Sequence, residues 1–157
     1  MKYDDLTRER LPLTAATHTP EETEALGAAL ARLLDNDRDM PPYIAMYGDL
    51  GVGKTAFVRG VASVLAPGRA VRSPTFALVN EYRGQTLSVF HFDMYRIEDE
   101  DELYSIGFYD YADRRGVCLT EWSENIEYAL PEQYIRVEIS KNDASNTDSR
   151  SIAISLV

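Results

Sequence analysis

An α/β fold, with helices packed on both faces of a mixed, largely parallel sheet, is what this sequence predicts. Three observations lead there. Segments with apolar residues at helical spacing alternate with short apolar runs of strand character. The run Tyr43-Ile44-Ala45-Met46-Tyr47 enters a glycine loop that opens at once into a helical pattern. Two stretches, 76–92 and 134–157, each contain paired apolar runs separated by polar turns and read as antiparallel hairpins.

The elements follow in order. Leu11 and Leu13 fit a short strand that Pro12 confines to an edge or a strand start. Thr19-Pro20-Glu21-Glu22 predicts a helix start, with Thr19 as cap, Pro20 in the first turn and Glu22 closing a capping box. That helix runs to about Leu34, with Leu26, Leu30, Leu33 and Leu34 on one face. A polar break, Asp35 to Asp39, and Pro41-Pro42 lead into the 43–47 strand. After the glycine loop, Phe57, Val61, Val64 and Leu65 keep helical spacing until Pro67-Gly68. Phe76 to Tyr82 and Thr86 to Phe92 read as the first hairpin, turning at Arg83-Gly84-Gln85. The acids Glu98 to Glu102 read as a solvated helix start, with an acidic patch for a basic partner as the other reading. Leu103 and Ile106 belong to that helix, and Gly107 ends it. Val117 to Thr120 reads as a buried strand, and Ser123 as the cap of a short helix through Ala129, stopped by Pro131. In the last hairpin Ile135, Val137 and Ile139 alternate with polar residues, 141–149 reads as a polar loop, and Ile152, Ile154 and Leu156 alternate again.

The glycine loop carries the chemistry. Gly48-Asp49-Leu50-Gly51-Val52-Gly53-Lys54-Thr55 matches G-x-x-x-x-G-K-[ST], the phosphate-binding P-loop. Its glycines let backbone N–H groups turn onto phosphate oxygens at the positive end of the next helix. Lys54 supplies a mobile charge for the outer phosphates and Thr55 a hydroxyl for Mg²⁺. The predicted architecture is therefore a P-loop NTPase-like three-layer sandwich, a single domain over 1–157.

Composition narrows the partners. The net charge is −10 and there are three lysines, so the chain is not built to grip nucleic acid alone, and a partner's docking surface should be locally basic. No run approaches a membrane span and the first residues lack a signal-peptide core, so a cytoplasmic protein is expected. The single Cys118 excludes an internal disulfide and sits in an apolar run, where it reads as a small core residue.

Candidate acids complete the site. Ligands of doubly wound folds sit outside the carboxyl ends of strands. Asp93 ends one strand and Glu121 another, so both fall at the edge where the glycine loop lies. Asp93 is the candidate Mg²⁺ ligand, direct or through water, against a helix cap or solvated strand end, and Glu121 is a metal or water-orienting group, against a salt bridge. Thr75, in Ser73-Pro74-Thr75, is a candidate switch-like hydroxyl near Mg²⁺, against a turn residue. His91, within an apolar strand, reads as a hydrogen-bonded core histidine rather than a proton shuttle. Arg96 faces the phosphates or a partner, or makes a structural ion pair.

The order of Gly48 to Thr55, Ser73-Pro74-Thr75-Phe76, Leu78 to Tyr82, His91-Phe92-Asp93-Met94-Tyr95-Arg96 and Glu121-Trp122 with Leu130-Pro131 closely resembles the TsaE family of bacterial ATPases, over roughly 19–131. The resemblance implies ATP hydrolysis in support of the TsaD–TsaB pair, which makes threonylcarbamoyladenosine at position 37 of tRNA. It implies ATP and Mg²⁺ as cofactors. It implies that Gly48, Asp49, Leu50, Gly51, Val52, Gly53, Lys54, Thr55 and Ala56 cradle the nucleotide. Lys54, Asp93 and Glu121 are then the catalytic set, with Thr55, Asp93, Glu121 and Thr75 around the metal and Trp122 near the nucleotide, against an interior packing residue. Val52 and Ala56 stand where the family commonly has Ala and Thr. The N-terminal segment and last hairpin, which enclose adenine in this family, match weakly; Arg150 is the candidate there. The rival readings are a small-molecule kinase and a nucleotide-gated binding module that hardly hydrolyses ATP. No N-K-x-D pattern for reading guanine occurs.

Overall fold

The computed structural model describes residues 5–48, 53–74, 78–143 and 146–157. Its strands are β1 (Leu13–Thr17), β2 (Tyr43–Tyr47), β3 (Val79–Tyr82), β4 (Ser88–Asp93), β5 (Gly116–Glu121), β6 (Ile135–Asp143) and β7 (Asn146–Leu156). Its helices are α1 (Pro20–Asn36), α2 (Lys54–Leu65), α3 (Glu100–Ser105) and α4 (Phe108–Tyr111). All these strands form one sheet in the order β1-β7-β6-β2-β5-β4-β3. The central pairs β6/β2, β2/β5 and β5/β4 are parallel, while the flanking pairs β1/β7, β7/β6 and β4/β3 are antiparallel. This is the mixed α/β sheet that the alternating patterns predict, with both hairpins present.

Strand periodicity divides the core into two. Ile44, Met46, Val117, Leu119, Val89, Ile135, Val137 and Ile139 face α1 and α2. Tyr43, Ala45, Tyr47, Phe90, Phe92 and Cys118 face α3, α4 and the segment around Ile126. Cys118 is buried as expected, and burial pushes its thiol up to about 12. Beneath the first face, α1 and α2 cross at two glycines. A Cβ on Gly27 would lie 2.3 Å from the Phe57 carbonyl oxygen, and one on Gly60 1.9 Å from that of Glu24. That close approach buries Leu26, Leu30 and Phe57 completely, and each such side chain contributes roughly 1.5–3 kcal/mol by leaving water. Among the described residues, no helix is long and apolar enough to cross a membrane.

Local signals largely hold. Thr19 Oγ1 accepts the Glu22 N–H at 3.1 Å, while Glu22 Oε2 reaches one residue further back than a capping box, to the His18 N–H at 3.1 Å. Asp99 caps α3 by accepting the Glu102 N–H, which accounts for its acidic start. Gly107 ends that helix with φ 74°.

Four expectations need correction. The strand over 76–82 begins only at Val79, because Leu78 is left-handed at φ 62° and breaks the extended run; Phe76 lies outside the described residues. The next strand is Ser88–Asp93 rather than 86–92, which draws Asp93 into the sheet. The polar stretch 141–149 is mostly ladder, with Lys141 opposite Arg150 and Asp143 opposite Asn146. Backbone pairing there needs no apolar pattern, because main-chain N–H and C=O groups carry the ladder. The helix expected over 123–129 is two 3-10 turns, Ser123–Asn125 and Glu127–Ala129. Ser123 does not cap it: its hydroxyl is buried and donates to the Thr120 carbonyl at 2.8 Å.

Candidate functional site

The carboxyl ends of β2, β4 and β5 and the first turn of α2 form one corner of the sheet. β2 delivers the chain to Gly48, and Gly53 starts α2 from a left-handed φ of 99°, where a side chain would be strained. The N–H groups of the first helical turn, Lys54 to Ala56, have no partner within the helix and point toward this corner. Lys54 is buried; its Nζ donates to the Gly48 carbonyl at 2.7 Å and lies 4.2 Å from the centroid of the Trp122 ring. Thr55 is half-buried and Ala56 buried beside it. Arg150, in β7, brings its Nε close to Gly53, 3.9 Å from where a Cβ would sit. Asp49, Leu50, Gly51, Val52 and Thr75 lie outside the described residues.

Sheet pairing joins the two acids. In the parallel β4/β5 ladder Asp93 stands directly opposite Glu121. Asp93 is half-buried, and its Oδ1 accepts the Tyr95 N–H at 3.0 Å. Burial raises its pKa first; the Tyr95 N–H opposes this, Glu121 adds to it, and Lys54 and His91 pull it down. Glu121 is almost fully buried and meets the His91 Nε2 at 2.5 Å through Oε2. Trp122 follows in a left-handed turn at φ 59°, its ring 4.9 Å from that of Tyr95.

A carboxyl whose pKa is raised by folding holds its proton more tightly in the folded state. Asp93 therefore opposes folding at neutral pH, and the penalty disappears as pH falls through its raised pKa toward the unfolded value. Asp93→Asn is expected to raise the thermal midpoint of the nucleotide-free, metal-free protein at pH 7, with the gain shrinking in acid. A midpoint at or below that of the parent at pH 7 would contradict this origin of the shift.

The donors suit a hard divalent cation and its phosphate ligand. Two carboxyls and the Thr55 hydroxyl are oxygen donors, and Asp93, whose pKa is raised by burial and by the neighbouring Glu121, gains from a cation between the two acids. Among the described residues no group of three or more His, Cys, Asp or Glu is arranged to hold a metal.

Two members of this corner were not assigned to it from the sequence. His91 was expected in the core, and it is fully buried; its partner, however, is the candidate catalytic acid Glu121. Tyr95 holds Asp93 through its backbone and packs its ring, tilted by 50°, against that of Trp122. The only available signal for His91 was its place two residues before Asp93, hence on the same strand face. Arg96 is exposed and has no ion pair among the described residues.

The chain is similar to known proteins over most of its length. The family model described as "Threonylcarbamoyl adenosine biosynthesis protein TsaE" matches residues 17–152. A tRNA threonylcarbamoyladenosine biosynthesis protein TsaE of Bacillus subtilis is 38% identical over 141 residues, 90% of this chain and 84% of that one. Its counterpart in Haemophilus influenzae is 40% identical over 111 residues, 71% of this chain and 68% of that one. A crystal structure of Bacillus subtilis YdiB superposes with a TM-score of 0.69 at 33% identity, covering 90% of this chain and 83% of that one. With a match that begins at the last residue of β1 and ends inside β7, enclosing the glycine loop and both acids, this chain belongs to the TsaE family.

Proposed function

We propose that this chain is a Mg²⁺-dependent ATPase serving the formation of threonylcarbamoyladenosine at position 37 of tRNA, together with the TsaD–TsaB pair. The observation that carries the reading is the in-register pairing of Asp93 with Glu121 beside the Gly53-Lys54 start of α2. The names of the relatives supply the pathway.

In this reading the first-turn N–H groups of α2 and the Lys54 ammonium bind the β- and γ-phosphates and offset charge that builds during transfer. Lys54 is already desolvated, so its charge acts at low dielectric. Thr55 and Asp93 would hold Mg²⁺, with Thr75 as the further candidate that the sequence offers, and the ion would supply charge neutralisation on the phosphates. Glu121 orients the attacking water or holds the metal. Trp122 forms the wall beside Lys54, and Arg150 the wall beside Gly53. The acidic start of α3 and the exposed Tyr95, Tyr104 and Tyr128 form a surface suited to a basic partner.

The test is phosphate release from ATP and Mg²⁺, with and without TsaD–TsaB, in the parent and in Glu121→Ala. Stimulation by the pair, reduced about 10²-fold or more by Glu121→Ala, is the expected result. Unstimulated, Glu121-independent release would overturn it. Nucleotide-dependent assembly with no turnover would identify a gated binding module instead.

A further inference from the structure

Three buried side chains beside the candidate site, and the backbone of the exposed Arg72, are joined in a line. The Arg72 N–H donates to the Tyr82 hydroxyl oxygen at 3.1 Å, and the Tyr82 hydroxyl lies 3.1 Å from His91 Nδ1. His91 Nε2 lies 2.5 Å from Glu121 Oε2. Tyr82, His91 and Glu121 are 5%, 0% and 6% exposed, so water does not compete for these bonds. All three belong to strands of the same sheet. β3 and β4 pair antiparallel and β4 and β5 parallel, which sets Tyr82, His91 and Glu121 on the face toward α1 and α2.

Counting protons assigns the roles. The Tyr82 hydroxyl has one proton and two acceptors in reach, His91 Nδ1 and the Arg72 carbonyl at 2.9 Å. That carbonyl already accepts from Asn80 Nδ2 at 2.9 Å. With Glu121 ionised, and therefore only an acceptor, and the ring neutral, the arrangement that satisfies every group has Tyr82 donating to Nδ1 and His91 Nε2–H donating to Glu121. One carboxyl oxygen of Glu121 is then pinned, and its second is left to the site. We infer that His91 is a positioning residue that fixes the Glu121 carboxyl, and that Tyr82 makes this orientation depend on where the backbone of Arg72 lies. Arg72 lies between α2 and β3, so a shift of its own backbone would reach Glu121 through two side chains. Partners of this kind orient the groups that touch metal or substrate, and their loss costs about 10–100-fold in activity or metal affinity.

The catalytic arm of the test rests on the ATPase reading; the spectroscopic arm does not. The chain has only two histidines, His18 and His91, so imidazole ¹⁵N spectra of the whole protein are simple to assign. The expected spectrum shows His91 protonated at Nε2, with that proton far downfield. Tyr82→Phe should shift the Nδ1 resonance and Glu121→Gln the Nε2–H resonance. In turnover, His91→Leu should lose about 10–100-fold with little change in affinity for a non-hydrolysable ATP analogue. His91→Gln, which can still donate to Glu121, should recover much of the loss, and Tyr82→Phe should fall between. His91 resonances indifferent to both Tyr82→Phe and Glu121→Gln would overturn the inference. So would full turnover in a folded His91→Leu, or a loss that appears only in nucleotide affinity. A parent protein with no hydrolysis would sink the ATPase reading while the imidazole spectra still decide the relay.

Discussion

Lys54→Ala is expected to lower ATP turnover by about 10²–10³-fold, the cost of removing one preorganised charge from a transition state. The structure makes the effect large. The ammonium is buried, anchored to the Gly48 carbonyl at 2.7 Å and lined by the Trp122 ring at 4.2 Å, so it is held at the mouth of α2 rather than wandering in solvent. A charge on that site offsets developing negative charge with little reorganisation, and alanine cannot replace it with water of equal preorganisation. Phosphate release at saturating ATP, with TsaD–TsaB present, is the measurement. A thermal melt run beside it separates lost chemistry from lost fold. A variant that turns over within twofold of the parent would remove Lys54 from the catalytic set and leave it a structural anchor for Gly48.

The largest effect on stability is expected from Gly60→Ala. The new Cβ would lie 1.9 Å from the Glu24 carbonyl oxygen, 2.8 Å from its carbon and 2.9 Å from the Ala28 nitrogen. These are backbone atoms of α1, so no rotamer change relieves the clash; the helices must separate. Separation loosens Leu26, Leu30 and Phe57, which are fully buried between the helices and the sheet. Overpacking of this kind costs about 3 kcal/mol where backbone must move, a fall of roughly 10 °C in midpoint for a chain of this length. Equilibrium urea unfolding measures it directly. Gly68→Ala makes the contrast: nothing lies within 4 Å of its Cβ, so only its left-handed φ of 84° opposes substitution. Equal losses at the two positions would show that the α1–α2 crossing is not what makes Gly60 sensitive.

Much of this molecule can be read without its tertiary structure. The cap at Thr19, the acidic opening of α3, the stop at Gly107 and the β2–glycine loop–α2 succession are local. Each depends on backbone geometry within a few residues, so the signals sit side by side in the chain. The misreadings had equally local causes. Leu78 adopts a left-handed angle that its residue type does not announce, and the polar ends of β6 and β7 continue the backbone ladder without an alternating apolar pattern.

By itself, then, the sequence determined the fold class, the helix ends, the two hairpins and the residue types at the candidate site, because periodicity, capping and glycine geometry act over short distances. Tertiary structure alone decided which of those residues meet. Asp93 and Glu121 face each other because β4 and β5 are parallel neighbours, and His91 reaches Glu121 rather than another core group for the same reason. Strand order is set by which pairs of faces bury the most apolar surface once all helices are placed, a choice made by the whole sheet that no single segment contains.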